Sequence, residues 1–64
     1  MADLPPLATP AQAAAYLQTT VAALAQDRYR RRGLPWCKVA GRVRYRREDV
    51  LNYLAANTFG GDAA

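Results

Sequence analysis

The chain has 64 residues, with nine Lys and Arg, five Asp and Glu and no His, for a formal net charge of +4. Such a length makes one domain that buries only about 60% of its unfolded surface, which leaves little room for a deep enzymatic pocket. A single cysteine, Cys37, excludes an internal disulfide, and the lack of histidine excludes a zinc site of the usual kind.

The charge is segregated. All the basic residues (Arg28, Arg30, Arg31, Arg32, Lys38, Arg42, Arg44, Arg46 and Arg47) fall between Arg28 and Arg47, and no acid interrupts them. Asp3, Asp27, Glu48, Asp49 and Asp62 lie outside. A run of this kind repels itself unless the fold presents it to a polyanion, so a sequence pI near 9.8 points first to nucleic acid. A charge that only keeps a small protein soluble would be scattered instead. No apolar run reaches the length of a membrane span, and a basic start followed by an apolar stretch is missing, so a cytoplasmic location is expected. Cys37, beside Trp36 and Val39, reads as a small apolar residue rather than a redox centre.

In chain order, residues 1–8 with Pro5-Pro6 read as a flexible arm, although Leu4 and Leu7 could dock on the domain. Thr9-Pro10-Ala11-Gln12 is a capping box with proline at the first helical position. It starts an Ala-rich helix from Pro10 to about Leu17. Gln18-Thr19-Thr20 is a short break, and Thr20 caps a second helix from Val21 to about Arg31. Val21, Leu24 and Arg28 are spaced to share one stripe of it. Gly33 and Leu34-Pro35 end that helix.

From Trp36 the period changes to two, with Cys37, Val39, Val43 and Tyr45 alternating against Lys38, Arg44 and Arg46. If Val39 and Val43 share a face, Ala40-Gly41-Arg42 forms a three-residue turn with Gly41 at positive φ. The other face and the tip then offer Lys38, Arg42 and Arg44 to a ligand; a basic edge that deters sheet aggregation is the competing reading. Glu48 and Asp49 suit the first turn of a third helix, about Arg47 to Asn57, with Val50, Tyr53 and Leu54 as its apolar stripe. Residues 58–64 read as a disordered tail. The domain proper is thus residues 9–57.

Helix, turn, helix, basic hairpin, helix is the order of a mainly α winged helix-turn-helix with a small β-hairpin wing. The start of the second helix suits a major groove, and the hairpin suits the adjacent backbone or minor groove. The candidate DNA-binding residues are Thr19, Thr20, Val21, Ala22, Gln26, Arg28 and Arg30 on the recognition helix, and Lys38, Arg42, Arg44 and Arg46 on the wing. Gln26 is the most capable base reader, since it can pair with adenine through two hydrogen bonds. The threonines suit phosphates and Ala22 suits a thymine methyl. No acid–base pair and no nucleophile beside a base is present, so no enzyme activity is expected, nor any cofactor or metal.

The segments Leu7-Ala-Thr-Pro-Ala-Gln-Ala-Ala-Ala-Tyr-Leu17, Leu24 and Gly33 to Leu54 resemble the small family of phage excisionases and AlpA-type regulators, whose DNA-binding domain is similar to that of MerR proteins. Val39-Ala-Gly-Arg-Val-Arg-Tyr-Arg-Arg-Glu-Asp-Val50 is the most specific part. The resemblance implies that Thr20, Gln26 and neighbouring helix positions face DNA and that Arg42 and Arg44 belong to the wing. It also implies a transcriptional regulator or excisionase of a phage or mobile element. Its partners would be double-stranded DNA, further copies of itself on adjacent sites, and a recombinase or RNA polymerase, with no membrane. Asp27 stands where the family commonly has an aromatic residue, and the link to Gly33 is two residues longer; Tyr29 is the candidate to replace that aromatic's packing. The alternative function is a protein-interaction module whose basic face meets an acidic partner.

Overall fold

A computed structural model describes residues 4–58. In chain order the elements are β1 (Leu7–Ala8), α1 (Pro10–Leu17), α2 (Val21–Tyr29), β2 (Cys37–Val39), β3 (Arg42–Arg46) and α3 (Arg47–Ala56). The three strands form one antiparallel open sheet in the order β1-β3-β2, so the fold is mixed α and β. No helix is long and apolar enough to cross a membrane among the described residues.

The helix starts follow local chemistry. Thr9 Oγ1 accepts from the Gln12 amide at 3.1 Å while Gln12 Oε1 accepts from the Thr9 amide at 2.9 Å, completing the capping box with Pro10 behind it. Thr20 Oγ1 accepts from the Ala23 amide at 3.0 Å and starts α2. Both helices stop with the same pair of reversed hydrogen bonds. At the end of α1 the Thr19 amide donates to Ala14 O (2.9 Å) and the Gln18 amide to Ala15 O (3.2 Å), with Gln18 left-handed at φ 58°. At the end of α2 the Arg32 amide donates to Asp27 O (2.9 Å) and the Arg31 amide to Arg28 O (3.1 Å), with Arg31 at φ 55°. This is the Schellman arrangement, with Gln and Arg at a position that favours glycine. It ends α2 at Tyr29, two residues before the expected Arg31; α3 likewise ends at Ala56 rather than Asn57.

The N-terminal segment is not the loose arm that residues 1–8 suggest. Leu4 is buried in the core, and Leu7 and Ala8 pair with Arg46 and Tyr45 on β3. The Arg47 amide donates to Pro6 O at 2.9 Å and fixes the join. The expected looseness of residues 1–3 and of the tail from 59 onward lies outside the described residues. Thr58 is held to α3 by its hydroxyl, 2.7 Å from Leu54 O.

The hairpin register differs from the expected one. Cys37 pairs with Arg44, Lys38 with Val43 and Val39 with Arg42, so the loop is two residues, Ala40 (φ 53°) and Gly41 (φ 78°). Two central residues at positive φ give the type I′ turn that matches strand twist. Directly opposed residues share a face, so Val39 and Val43 lie on opposite faces. Ala8, Val43 and Tyr45 occupy the inner face, with Lys38 at its edge. Leu7, Cys37, Val39, Arg42, Arg44 and Arg46 occupy the outer one.

The core is Leu4, Ala8, Ala13, Ala14, Leu24, Leu34, Tyr45 and Val50, with Tyr16, Leu17, Val43 and Tyr53 packed against it. Tyr45 at the centre of the sheet and Val50 on α3 are its largest fully buried side chains. Of the stripes expected on the helices, Leu24 and Val50 are buried, whereas Val21 and Leu54 remain nearly half exposed.

Candidate nucleic-acid interface

Because Leu24 alone anchors α2 in the core, the helix leaves a broad face to solvent. Ala22, Ala25, Gln26 and Tyr29 follow one another at three- and four-residue steps, so they form one stripe on that face. They surround an open depression of about 440 Å³. The stripe carries no charge and two of its members are methyl-sized, which lets a helix approach another surface closely. Gln26 supplies an amide with two donors and an acceptor. Tyr29 is 88% exposed, so it does not take over the core packing of the absent aromatic. It and Ala25 are the two residues of this face missing from the sequence-derived site. The spacing of Tyr29 from Ala22 and Gln26 was the available signal, and reading an aromatic as core concealed it.

The other expected recognition-helix residues divide. Thr20 and Val21 are exposed at the start of α2; the Thr20 oxygen caps the helix, and its hydroxyl hydrogen is left for another acceptor. Arg30 is exposed at the C-cap. Thr19 instead lines a separate apolar hollow of about 200 Å³ together with Leu17, Tyr53 and Leu54, apart from the Gln26 stripe. Arg28 turns inward: Nη1 donates to the Tyr45 hydroxyl, and its guanidinium carbon lies 5.9 Å from the Tyr45 ring centroid. That contact satisfies the polar end of a ring which is otherwise wholly buried. Arg28 therefore has a structural task that the sequence did not disclose.

On the hairpin, Arg42 and Lys38 are exposed, but the register puts Lys38 on the edge of the inner face and not beside Arg42 and Arg44. Arg44 is half-buried and donates from Nη1 to the carbonyl of Val43 at 2.6 Å, which holds its guanidinium over the outer face while leaving other donors unused. Cys37, opposite Arg44, is half-buried with Sγ 3.5 Å from Arg44 O. Arg46 is engaged by α3: Nε donates to Asp49 Oδ2 at 2.9 Å, and Nη1 lies 3.9 Å from Glu48 Oε1. The Asp49 hydrogen bond, then the charges of Asp49 and Glu48, raise the guanidinium pKa above its ordinary value. Both acids are also where the dipole of α3 favours them.

Asp27, the remaining described acid, sits 3.5 Å from Arg32 Nε. Thus among the described residues the ion pairs use only Arg32 and Arg46, and Arg30, Arg31, Lys38, Arg42 and Arg44 have no acidic partner. No group of three or more His, Cys, Asp or Glu side chains comes together among them. No protein-family model matches the chain, and no curated protein or solved structure is found to match it.

Proposed function

We propose that this protein is a sequence-specific duplex-DNA-binding module of the winged helix-turn-helix kind, working as a transcriptional regulator or excisionase of a phage or mobile element. The observation that carries the reading is the charge distribution just described. Every described acid is already paired, whereas Lys38, Arg42 and Arg44 of the hairpin have no acidic partner among the described residues and the exposed stripe of α2 is neutral. A neutral, small-residue helix face avoids repulsion in a groove, and arginines without an acidic partner on the hairpin are suited to phosphates.

In this reading α2 enters the major groove and Gln26 reads an adenine edge. Tyr29 packs at the far end of the same stripe, and the Thr20 hydroxyl donates to a phosphate. Arg42 and Arg44 on the outer sheet face form the wing contact with the backbone or minor groove. Arg28 and Arg46 are held by side-chain partners next to this surface, one by Tyr45 and the other by Asp49.

The test is a salt series of binding to random duplex and to duplex from upstream of the protein's own gene. Each phosphate neutralised contributes about 0.9 to the logarithmic salt slope, so a steep slope with preference for one duplex is expected. A flat slope, or no binding at low salt, would overturn the reading and turn attention to an acidic protein partner.

A further inference from the structure

The link between α2 and β2 forms a cleft of about 450 Å³ lined by Arg28, Arg31, Arg32, Gly33, Leu34, Pro35 and Trp36. Its position and composition set it apart from the surfaces already described. It lies at the C-terminal end of α2, so nine residues of helix at 1.5 Å each put it about 13 Å from the capped start. It also lies at the base of the hairpin, and three residues of β2 put it about 10 Å from the Ala40-Gly41 tip.

Three features of the cleft bear on what it could hold. Arg28 is fixed in place by Tyr45, so one guanidinium on the cleft wall is already oriented. Arg31 stands at φ 55°, a left-handed position where glycine would be unstrained, and its side chain is exposed. Trp36 is 44% exposed and stands beside exposed Pro35, so the wall next to the cations is flat and apolar. The acid nearest this wall is Asp27, and its partner Arg32 is 63% exposed at a loose 3.5 Å. An anion could readily compete for that arginine.

We infer that this cleft binds a sugar-phosphate of duplex DNA outside the segment addressed by α2 and the wing, with Arg31 and Arg32 on the phosphate and Trp36 against the apolar face of the deoxyribose. The inference rests on the DNA-binding reading and extends its footprint.

Trp36 is the sole tryptophan, which makes it a direct probe. Acrylamide quenching of its fluorescence is expected to fall roughly twofold when the full chain is saturated with its preferred duplex, because one face of the indole is covered. The paired variant Arg31→Gly with Arg32→Gln removes both charges without asking Arg31's position to hold a strained residue. Its salt slope is expected to be lower by about 0.9, the share of one phosphate, so that between 50 and 200 mM salt the wild type loses about three- to fourfold more affinity than the variant. Arg42→Ala is the control: it should lower the slope and leave Trp36 shielded. Either an unchanged slope in the paired variant or unchanged quenching in the wild-type complex overturns the cleft while duplex binding stands. A wild-type chain that binds no duplex even at low salt overturns both readings.

Discussion

Two backbone positions with left-handed geometry carry the wrong and the right residue in turn, and they make opposite predictions. Ala40 holds φ 53° in the hairpin loop, a conformation that costs a non-glycine residue roughly 1–2 kcal/mol. Glycine itself loses more chain entropy, roughly 0.5–1 kcal/mol, so Ala40→Gly is expected to stabilise the fold by about 0.5–1 kcal/mol. Gly33 is the reverse case. Its φ is +80°, and a Cβ there would stand 2.9 Å from Asp27 Oδ2 and 3.2 Å from Asp27 Cβ. Gly33→Ala should therefore destabilise by more than 1 kcal/mol, since strain and contact add. Urea melts of the two variants should shift in opposite directions, and a shift of both in one direction would reject the assigned backbone geometry. Tyr45→Phe isolates a third residue-scale effect. It removes the hydroxyl that Arg28 Nη1 donates to but leaves the ring under the guanidinium, so a loss of about 0.5–1.5 kcal/mol is expected. An unchanged melt would mean that Arg28 turns to solvent without cost.

At the scale of elements, β1 is what turns a hairpin into a sheet. Its inner residue Ala8 is fully buried against Tyr45, and Leu4 just before it closes the core. Leu4→Ala is accordingly expected to cost about 2 kcal/mol or more, a large share of the stability of so small a domain. A loose arm would tolerate the change, so an unaltered urea midpoint would restore that description. The contrast shows which elements were legible in the sequence. Both capped helix starts were, because Thr9 and Gln12 satisfy each other within one turn and Thr20 Oγ1 accepts from the Ala23 amide within another. β1 was not, because two residues carry no alternation and their partner lies on the far side of the chain. The hairpin existed in the alternation, but its register depended on the loop. Ala40-Gly41 lacks the Asn-Gly or Asp-Gly signature of a two-residue turn, and two valines four apart suggested a three-residue one. The candidate site divided along the same line. Gln26 and Ala22 were legible as an outward helix face, and Arg28 as a member of the Leu24 stripe, whereas the hydrogen bond of Arg28 was not legible because its acceptor, Tyr45, is seventeen positions away. Arg46 had its partner Asp49 only three residues on, and charge counting alone concealed the pair.

At the scale of the molecule, the question is how so small a body could select a site. A single module of this size buries only about 600–1,000 Å² on DNA, and α2 offers one strong hydrogen-bonding side chain, Gln26, in its exposed stripe. Most of the affinity in the proposed complex then comes from phosphates, which carry no sequence information. In the proposed complex several copies on neighbouring sites would add to the selectivity of Gln26, because the second copy binds at an effective local concentration well above the bulk one. Such coupling has a geometric signature. Two sites one helical turn apart, about 10–10.5 base pairs, present both copies on the same side of the duplex, and an extra half turn puts them on opposite sides. Binding to a duplex with two sites one turn apart is therefore expected to be cooperative, with the second copy at least tenfold tighter than a lone one, a coupling of about 1.4 kcal/mol. Inserting five base pairs between the sites should abolish the coupling, and inserting ten should restore part of it. The same binding curve at all three spacings would show that each copy acts alone, and site selection would then have to reside within a single module.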